Sequence, residues 1–569
     1  MKKGKDDVSQ RRQRKLVLDS LVLGVVGAIS AQVFTLLLNF SRSIFLTGIA
    51  GYQAPGLPGE GGVLLEVVGS YGLLLIPVVT TIGGLIAGFL VFGLAPEAEG
   101  GGTDPAIRAF HIYAGKIRHR VAPLKILATA ITLGSGGSGG REGPVTLISA
   151  SLGSAYAVIM RRSEKERQIL LLVGMAAGLS AIFRSPIGAA IFAVEILYRD
   201  MEYESRALLY AILASVVAYT VNGPFVDWQP LFQVPSDLAV SSLFQYFCYA
   251  VLGVACGLVA TGVPVFFYKV RDLFVAIPIP PHFKPAIGGL LVGLMAMALP
   301  QILGGGYGWI QEAIDGRFTV TFLIALMLAK ILSFTLTVSS GGSGGVFGPT
   351  LFIGAMLGGA LAEIFHLPPA GFVIVGMAAV FAGAGRVPIA TILMVAEMTG
   401  GYALLVPASL AAVISFLVQR GITSKIKSET IHDTLFESQV NTRSDSPAHM
   451  MEHMQKAVKL LRQQKAKGYS RFNQFDLMTL LRNGVTLDLP DGNRFYVAKL
   501  AKESIYVARP VSSAFLDNKA GKAALVAVIR GDEVLLSDSD DLLKADDQVV
   551  IICMPEVWSG LRKLLDWLT

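Results

Sequence analysis

The chain of 569 residues is 53% hydrophobic and only 16% charged, which excludes an ordinary soluble domain and indicates a protein of the lipid bilayer. Much of its formal net charge of +7 lies in a basic amino-terminal segment and in loops beside apolar runs, so it does not indicate a nucleic-acid partner. Three cysteines have neither metal-ligand spacing nor an obvious disulfide partner: Cys248, Cys256 and Cys553.

Residues 1–16 are predicted to form a basic cytoplasmic amino terminus. Lysines and arginines crowd the positions before the first apolar run, namely Lys2, Lys3, Lys5, Arg11, Arg12, Arg14 and Lys15. Basic residues flanking a span stay in the cytoplasm, and this run has no small-residue cleavage site, so we interpret it as a span and not as a signal peptide. The polar tail after about residue 424 is also predicted to be cytoplasmic.

Apolar runs long enough to cross a bilayer recur through the first 340 residues. They are 17–40, 70–95, 206–222, 243–268, 286–303 and 318–338. Shorter runs bounded by glycine and proline predict tilted or half-crossing helices buried among the others. These are 145–160, 168–182, 370–383 and 403–418.

The sequence contains an internal repeat. Ser135–Pro144 (SGGSGGREGP) returns 205 positions later as Ser340–Pro349 (SGGSGGVFGP), and Val173–Glu195 returns at an offset of 202 as Val375–Glu397. A third echo, EGGGTDPAIRAF from Glu99 and LGGGYGWIQEAI from Leu303, keeps the same order. The predicted halves are 17–220 and 240–422.

Both termini in the cytoplasm require an even number of crossings. Two halves with odd numbers of crossings satisfy this requirement, and such halves insert in opposite orientations. The sequence therefore predicts an inverted repeat, in which interrupted helices of the two halves meet around a central site near the membrane midplane.

The glycine loops carry the chemistry. Glycines let the backbone turn its N–H groups inward, and Pro144 and Pro349 are suited to the first position of a following helix. Each loop would then present a helix amino terminus, with free N–H donors and a positive dipole end, which is a site for an anion. The alternative is that these glycines only allow close packing of helices in lipid.

The motifs GREGP (Gly140–Pro144), GVFGP (Gly345–Pro349) and GGTDP (Gly101–Pro105) resemble the signature loops of the CLC chloride channels and proton/chloride antiporters. The resemblance covers residues 17–445. It implies an all-α polytopic membrane fold with an inverted repeat and a homodimer in which each subunit holds its own anion pathway. The anion-binding residues that it implies are Gly102, Thr103, Gly140, Arg141, Gly143, Val346, Phe347, Gly348 and Phe436.

In the CLC family the glutamate of GREGP is the gate, which corresponds here to Glu142. A carboxylate within the membrane is costly unless it is paired, solvated or functional. Beside helix amino termini, Glu142 would compete with a mobile anion for the same donors, and acid would open the path. The alternative is a structural salt bridge with the adjacent Arg141.

The sequence departs from the antiporter pattern at three positions. Ile196 stands where family antiporters commonly carry an internal proton-relay glutamate, so that relay is lost. Phe436 stands in place of a tyrosine that contacts the anion, and Gly102 stands in place of a serine. Fewer donors indicate weaker binding and faster passage. These departures favour a passive chloride channel gated by protonation of Glu142; the alternative is a proton/chloride antiporter with a water-mediated proton path.

Two other classes fit less well. A cation transporter subunit would need a carbonyl-lined filter or acidic rings, whereas these loops present helix amino termini. An enzyme would need a clustered nucleophile and base, but Glu142, Glu195 and Glu397 are isolated in the sequence. No cofactor is expected, and His449 with His453 lacks a third metal ligand.

The tail is predicted to be a separate unit. Residues 446–483 have the apolar spacing of a helical connector, and 484–569 show short alternating runs that resemble the small α+β carboxy-terminal RCK domain of potassium-transport regulators. Domains of that type pair or bind a small regulatory ligand. The chain is accordingly expected in a prokaryotic inner or plasma membrane, with chloride, protons and lipid as its partners.

Overall fold

The structure is a computed structural model. It describes residues 2–57, 60, 62–226, 228–235, 238, 240, 242–425, 432–443, 446, 494–501, 504, 506–511, 523–530, 533–536, 541–553 and 558. These residues fall into two compact units, Met1–Ala448 and His449–Thr569.

The first unit is helical, and its helices fall into two sets that follow the two repeats. The first set is α1 (Lys2–Arg42), α2 (Ile76–Leu94), α3 (Thr103–His111), α4 (Val121–Gly134), α5 (Glu142–Ile159), α6 (Glu164–Phe183), α7 (Pro186–Glu195) and α8 (Ser205–Val226). The second set is α9 (Leu243–Ala276), α10 (Lys284–Ala296), α11 (Tyr307–Ile314), α12 (Val320–Ser339), α13 (Phe347–Ile364), α14 (Pro369–Gly385), α15 (Pro388–Thr399) and α16 (Leu405–Lys425). A short antiparallel pair, β1 (Tyr52–Gln53) and β2 (Val67–Val68), lies between α1 and α2.

Eight described helices are long and apolar enough to cross a membrane. They are α1 with its continuation to Ala50, α2, α6, α8, α9, α12, α13, and α16 with the turn that precedes it. This set supports an integral membrane protein with many apolar helices, as the composition predicted.

Three helices differ in length from what the apolar runs of the sequence predicted. The predicted span 286–303 is a helix of only 13 residues, α10, because the chain bends before Pro300 and continues as a single 3₁₀ turn. The runs 168–182 and 403–418 were predicted to be half-crossing, but they belong to α6 and α16, of 20 and 21 residues. Polar residues extend both helices, and a capping box of Ser163 with Glu166 begins α6.

Reciprocal contacts relate the two halves. The amide of Gly139 donates to the carbonyl of Gly304 at 3.2 Å, and the amide of Gly344 donates to the carbonyl of Gly100 at 3.2 Å. Gly139 and Gly344 are equivalent in the repeat, as are Gly304 and Gly100. Equivalent residues therefore exchange the same bond across the interface, which is the arrangement that a two-fold relation between the repeats requires. Further reciprocal pairs are Ser138 with Thr337 and Ser343 with Thr132.

Two glutamates, of which Glu195 is fully buried and Glu397 is half-buried, complete this symmetry. Glu195, at the end of α7, accepts the amides of Ile389 and Ala390 at the start of α15. Glu397, near the end of α15, accepts the amides of Ile187 and Gly188 at the start of α7. Each carboxylate caps the helix of the other half, so both are stabilised as structural groups.

Glycines set the close packing of the helices that carry the site. A Cβ on Gly174 of α6 would overlap the carbonyl of Ser149 of α5, and one on Gly376 of α14 would overlap the carbonyl of Gly354 of α13. Small residues let membrane helices approach backbone to backbone. Glycines in the body of these helices therefore serve close helix packing, whereas the glycines of the loops lie at or before the helix starts.

The second unit contains an antiparallel sheet with strand order β3-β6-β4-β5. Its strands are β3 (Arg494–Lys499), β4 (Ala523–Arg530), β5 (Glu533–Leu536) and β6 (Gln548–Cys553). Val549, Ile551 and Cys553 alternate into its core. The strands lie in the alternating runs of the sequence, whereas the RCK identity remains a prediction. Apart from Ser446 the predicted connector 446–483 lies outside the described residues, as do His449 and His453.

Candidate functional site

The two glycine-proline loops meet in the interior of the first unit. Gly140 and Gly345 exchange both backbone hydrogen bonds, at 2.8 and 2.7 Å, as an isolated antiparallel pair. α5 begins two residues after Gly140, and α13 begins two residues after Gly345. The amino termini of both helices are thus fixed side by side, as the repeat predicted.

Both helices begin earlier than the sequence suggested. Glu142 and Phe347 are the first helical residues, so Pro144 and Pro349 occupy the third position of their helices and not the first. Proline is tolerated there because the amides of the first turn have no partner within the helix. Each helix thus begins two residues before the proline at which the sequence predicted its start.

α3 brings a third helix amino terminus to the same place. Gly102, which precedes α3, has a φ of 94°, and a Cβ there would lie 2.6 Å from the carbonyl of Gly143 in α5. Only glycine combines that backbone conformation with so close an approach. The residues that precede α3, α5 and α13, namely Gly102, Arg141 and Val346, cap their helices with no side-chain hydrogen bond.

A pair of buried lysines holds the loops in place. Lys125 of α4 donates to the carbonyls of Ala98 at 2.9 Å and Gly100 at 2.6 Å. Lys330 of α12, its equivalent at an offset of 205, donates to the carbonyls of Ile302 at 2.8 Å and Gly304 at 2.6 Å. Each ammonium therefore fixes the turn that begins α3 or α11. Neither lysine was predicted as a site residue, although both lie at matching positions in apolar runs of the sequence.

Glu142 is the only predicted site residue with an ionisable carboxyl group, and its side chain is 1% exposed. Its Oε1 accepts a hydrogen bond from the hydroxyl of Tyr307, the first residue of α11. Its Oε2 has no hydrogen-bond partner among the described residues, and a Cβ on Gly348 would lie 3.1 Å from it. The carboxylate therefore reaches from α5 to the amino terminus of α13.

Arg141 forms its hydrogen bond with a residue other than Glu142. Its guanidinium pairs with Glu60, in the loop between β1 and β2, while its Nε lies 3.9 Å from Oε1 of Glu142. Removal from water is the largest single effect on Glu60 and opposes its ionisation. The charge and hydrogen bond of Arg141, together with the charges of two further arginines, outweigh that effect and lower the pKa of Glu60. The geometry thus disfavours a simple salt bridge between Arg141 and Glu142.

Aromatic rings surround the first residue of α13. The ring centroid of Phe347 lies 4.1 Å from that of Phe381 and 4.6 Å from that of Phe183. The ring centroid of Phe436 lies 6.3 Å from that of Phe381, and Phe436 is 3% exposed. The position of Phe436 therefore presents an apolar ring with no hydroxyl donor.

Ile196 is fully buried at the end of α7. Its carbonyl accepts the side-chain amide of Gln439 at 3.0 Å, and its own amide bonds to the carbonyl of Phe192. The ring of Phe192 lies 6.0 Å from that of Phe347. Ile196 thus belongs to the apolar surroundings of the aromatic cluster and contributes no titratable group.

Two cavities approach this cluster. The Phe436 cavity, of about 750 Å³, contacts all of the following residues: Glu99, Gly101, Thr103, Asp104, Arg271, Val346, Phe436 and Glu437. The Arg141 cavity, of about 390 Å³, contacts Arg42, Glu60, Gly139, Arg141, Gly304 and Tyr307 among others. Glu142 lines neither cavity, although its neighbours Arg141 and Tyr307 line the second. The carboxylate therefore lies directly behind two residues that line the Arg141 cavity.

The structure brings most of the predicted residues together. At the helix ends Gly102 lies against Gly143, and Gly140 lies against Gly348. Thr103, Val346 and Phe436 share one cavity, whereas Arg141 faces the other. Tyr307 was not predicted as a site residue, although the third echo aligns it with Thr103.

Comparisons with known proteins agree with this geometry. The family model described as "Voltage gated chloride channel" matches residues 83–420. The H(+)/Cl(-) exchange transporter ClcA of Salmonella agona is 33% identical over 368 residues, which cover 61% of this chain and 76% of that protein. The protein of the same name from Yersinia pestis bv. Antiqua is 32% identical over 358 residues, covering 60% and 75%.

Solved structures share the fold. A slow cyanobacterial Cl-/H+ antiporter superposes with a TM-score of 0.63 at 22% identity, covering 72% of this chain and 95% of that one. A CLC-type fluoride/proton antiporter superposes with a TM-score of 0.62 at 23% identity, covering 76% and 98%.

Proposed function

The chain belongs to the voltage-gated chloride channel family, and from that premise we propose that it exchanges chloride for protons across a membrane. The observation that carries the proposal is Glu142, a buried carboxylate at the start of α5 whose Oε2 has no hydrogen-bond partner among the described residues. The relatives named as exchange transporters support coupled exchange better than passive conduction, which the departures from the antiporter pattern had favoured.

In this proposal chloride binds between the amino termini of α3, α5 and α13. Their first amides and positive dipole ends supply the attraction. Gly102, Thr103, Val346, Phe347 and Gly348 line the central position, through backbone groups and the Thr103 hydroxyl. This support is almost entirely main chain, so that binding is weak enough for the ion to leave.

The proposal gives Arg141 a different role from the one that the resemblance implied. Its guanidinium lies in the Arg141 cavity and is bonded to Glu60. We therefore assign it to the entrance, where its charge attracts anions before they reach the central position.

Coupling follows from competition for the same place. Ionised Glu142 and chloride are both attracted to the amino termini of α5 and α13. Because two negative charges repel each other strongly at such short range, both cannot occupy this place at once. A protonated Glu142 loses that attraction and yields to chloride. Each entry of chloride is thereby tied to a proton on Glu142, which is then released on the opposite side.

The proton needs a path to Glu142 that does not use Ile196. We propose that water in the Phe436 cavity supplies it, with Glu99 as the first acceptor. Glu99 lines that cavity, and the protein around it reduces its hydration and so raises its pKa, although Arg271 and Lys125 oppose the shift. Burial alone would raise the pKa of Glu437, but the hydrogen bond and charge of Arg271, together with other nearby positive charges, outweigh burial and lower it.

The remaining features of the proposal rest on the family resemblance and the charge pattern. We propose a homodimer with one pathway in each subunit, both termini in the cytoplasm of a prokaryotic cell, and the Phe436 cavity on the cytoplasmic side. Residues 432–443, which lead to the tail, form one wall of that cavity through Leu435, Phe436 and Glu437.

A passive channel is the second candidate, because Ile196 and Phe436 lack the groups that family antiporters use. Proteoliposomes loaded with potassium chloride, placed in weakly buffered low-chloride solution with valinomycin, distinguish the two. An exchanger is expected to take up protons as chloride leaves, which makes the outer solution alkaline against the proton gradient that develops. Chloride release with no pH change beyond that of protein-free liposomes would overturn the exchanger and favour the channel.

A further inference from the structure

Tyr307 is the repeat equivalent of Thr103. Thr103 begins the short helix α3, and Tyr307 begins the short helix α11. The glycine before each of them has a positive φ angle, 94° for Gly102 and 74° for Gly306. Thr103 lines the Phe436 cavity, whereas Tyr307 lines the Arg141 cavity. The two-fold relation therefore places one hydroxyl-bearing residue in each of the two cavities.

The Tyr307 hydroxyl meets both the gate and a helix amino terminus. It donates to Oε1 of Glu142. A Cβ on Gly348 would lie 2.8 Å from this hydroxyl and 3.1 Å from Oε2 of Glu142. The phenol, the carboxylate and the first turn of α13 therefore converge on one small volume.

The Tyr307 ring is held from two sides. The guanidinium carbon of Arg141 lies 5.4 Å from the ring centroid, and the ring of Phe232 lies 6.1 Å away. A cation over an aromatic face is attracted to it. Because the half-buried ring is fixed, its hydroxyl stays in place when the carboxylate moves.

We propose that Tyr307 positions the gate: its hydroxyl holds ionised Glu142 in the closed position and donates to chloride when Glu142 is protonated and withdraws. This inference rests on the proposed function and adds a side-chain donor to its anion site. A phenol O–H has one proton to donate, so carboxylate and anion compete for it. It supplies, from the opposite side, a hydroxyl that Gly102 and Phe436 lack.

Other charged groups around Glu142 bear on its protonation as well. Arg141 precedes it on the chain, Lys330 of α12 attracts it, and Glu60 repels it from the loop between β1 and β2. Tyr307→Phe changes none of these charges. A shift in pH dependence in that variant therefore reports the loss of the hydroxyl alone.

The test is the pH profile of chloride flux through proteoliposomes containing the full chain. Loss of a hydrogen bond to an ionised carboxylate favours protonation, so the half-maximal pH of flux in Tyr307→Phe is expected to move upward by about one to two units. Tyr156→Phe is the matched control, because its hydroxyl donates to Asp19 at 2.9 Å, away from the site, and its midpoint should not move.

Chloride affinity gives an independent readout. On the Glu142→Gln background, titration calorimetry with potassium chloride should show binding weakened about tenfold by Tyr307→Phe, since one donor to the anion is gone. An unmoved midpoint together with unchanged affinity would overturn the proposal. Failure of both Tyr307→Phe and Tyr307→Leu to assemble would also overturn it, by showing a structural role. Absence of chloride-driven proton uptake in the wild type would instead contradict the exchanger, and the flux midpoint would still test Tyr307.

Discussion

Replacing Glu142 with glutamine is expected to stop chloride-driven proton movement and to leave a chloride flux that no longer depends on pH. Glutamine keeps the size of the side chain but carries neither a negative charge nor an exchangeable acid proton. It therefore cannot compete with chloride for the amino termini of α5 and α13, and it cannot ferry a proton. Flux at neutral pH should rise above that of the wild type, measured as chloride efflux from proteoliposomes between about pH 4 and about pH 8, a range that begins at the ordinary pKa of a carboxyl group and extends above it.

Glu195→Gln is the matched control for this experiment. Glu195 is also a buried carboxylate of the first half, but it accepts the amides of Ile389 and Ala390 and caps α15. Its variant should keep proton coupling even if it lowers thermal stability. Persistent chloride-driven proton uptake in Glu142→Gln would remove the gate from the mechanism. Loss of assembly in that variant alone would favour a structural role for Glu142, as in the salt-bridge alternative.

Replacing Lys330 with methionine is expected to lower the free energy of unfolding by about 3 kcal/mol. The change leaves the buried carbonyl of Ile302 without its donor, while the carbonyl of Gly304 keeps only the amide of Gly139. The turn that positions Tyr307 would loosen with them, so the half-maximal pH of chloride flux should move upward, as in Tyr307→Phe. The loss of stability is measured by thermal unfolding of the purified protein in detergent, followed by tryptophan fluorescence.

Two further variants show whether this effect depends on burial. Lys125→Met removes the equivalent pair of bonds in the first half and should destabilise the protein to a similar extent. Lys284→Met also removes a bond from an ammonium to a carbonyl, that of Val275, but at an exposed site where water replaces the lost donor. Equal melting temperatures for the Lys330 and Lys284 variants would contradict the account of the loops.

The repeat in the sequence was sufficient to predict how the two halves meet. Ser135–Pro144 and Ser340–Pro349 are equivalent segments, and their Gly140 and Gly345 pair in the structure. Three ordered motifs fix the equivalence of every helix between them. Helix limits were harder to predict, because polar turns extend α6 and α16 and because Pro300 ends the run that contains α10.

The side chains that face the gate could not be read from the sequence. The third echo aligns Tyr307 with Thr103, but the direction in which a tyrosine extends depends on the packing of Arg141 and Phe232 around its ring. Similarly, adjacency in the chain suggested a pair between Arg141 and Glu142. Glu60, about eighty positions away along the chain, takes the guanidinium instead.

The sequence alone supported only a weak preference for a channel over an exchanger, for a physical reason. Ile196 and Phe436 show which side-chain donors and acids are missing. A proton can nevertheless cross through water, and the sequence does not show cavities. The Phe436 cavity, of about 750 Å³ and lined by Glu99 and Asp104, provides space for such water.

The reversal potential of the wild-type protein tests the central claim most directly. Purified protein in a planar bilayer would be held under a fixed chloride gradient while the pH on one side is changed. If Glu142 ties proton movement to chloride movement, the reversal potential must depart from the chloride equilibrium potential and shift with the pH gradient, and Glu142→Gln must abolish that shift. A wild-type reversal potential that stays at the chloride equilibrium potential at every pH gradient would contradict coupled exchange.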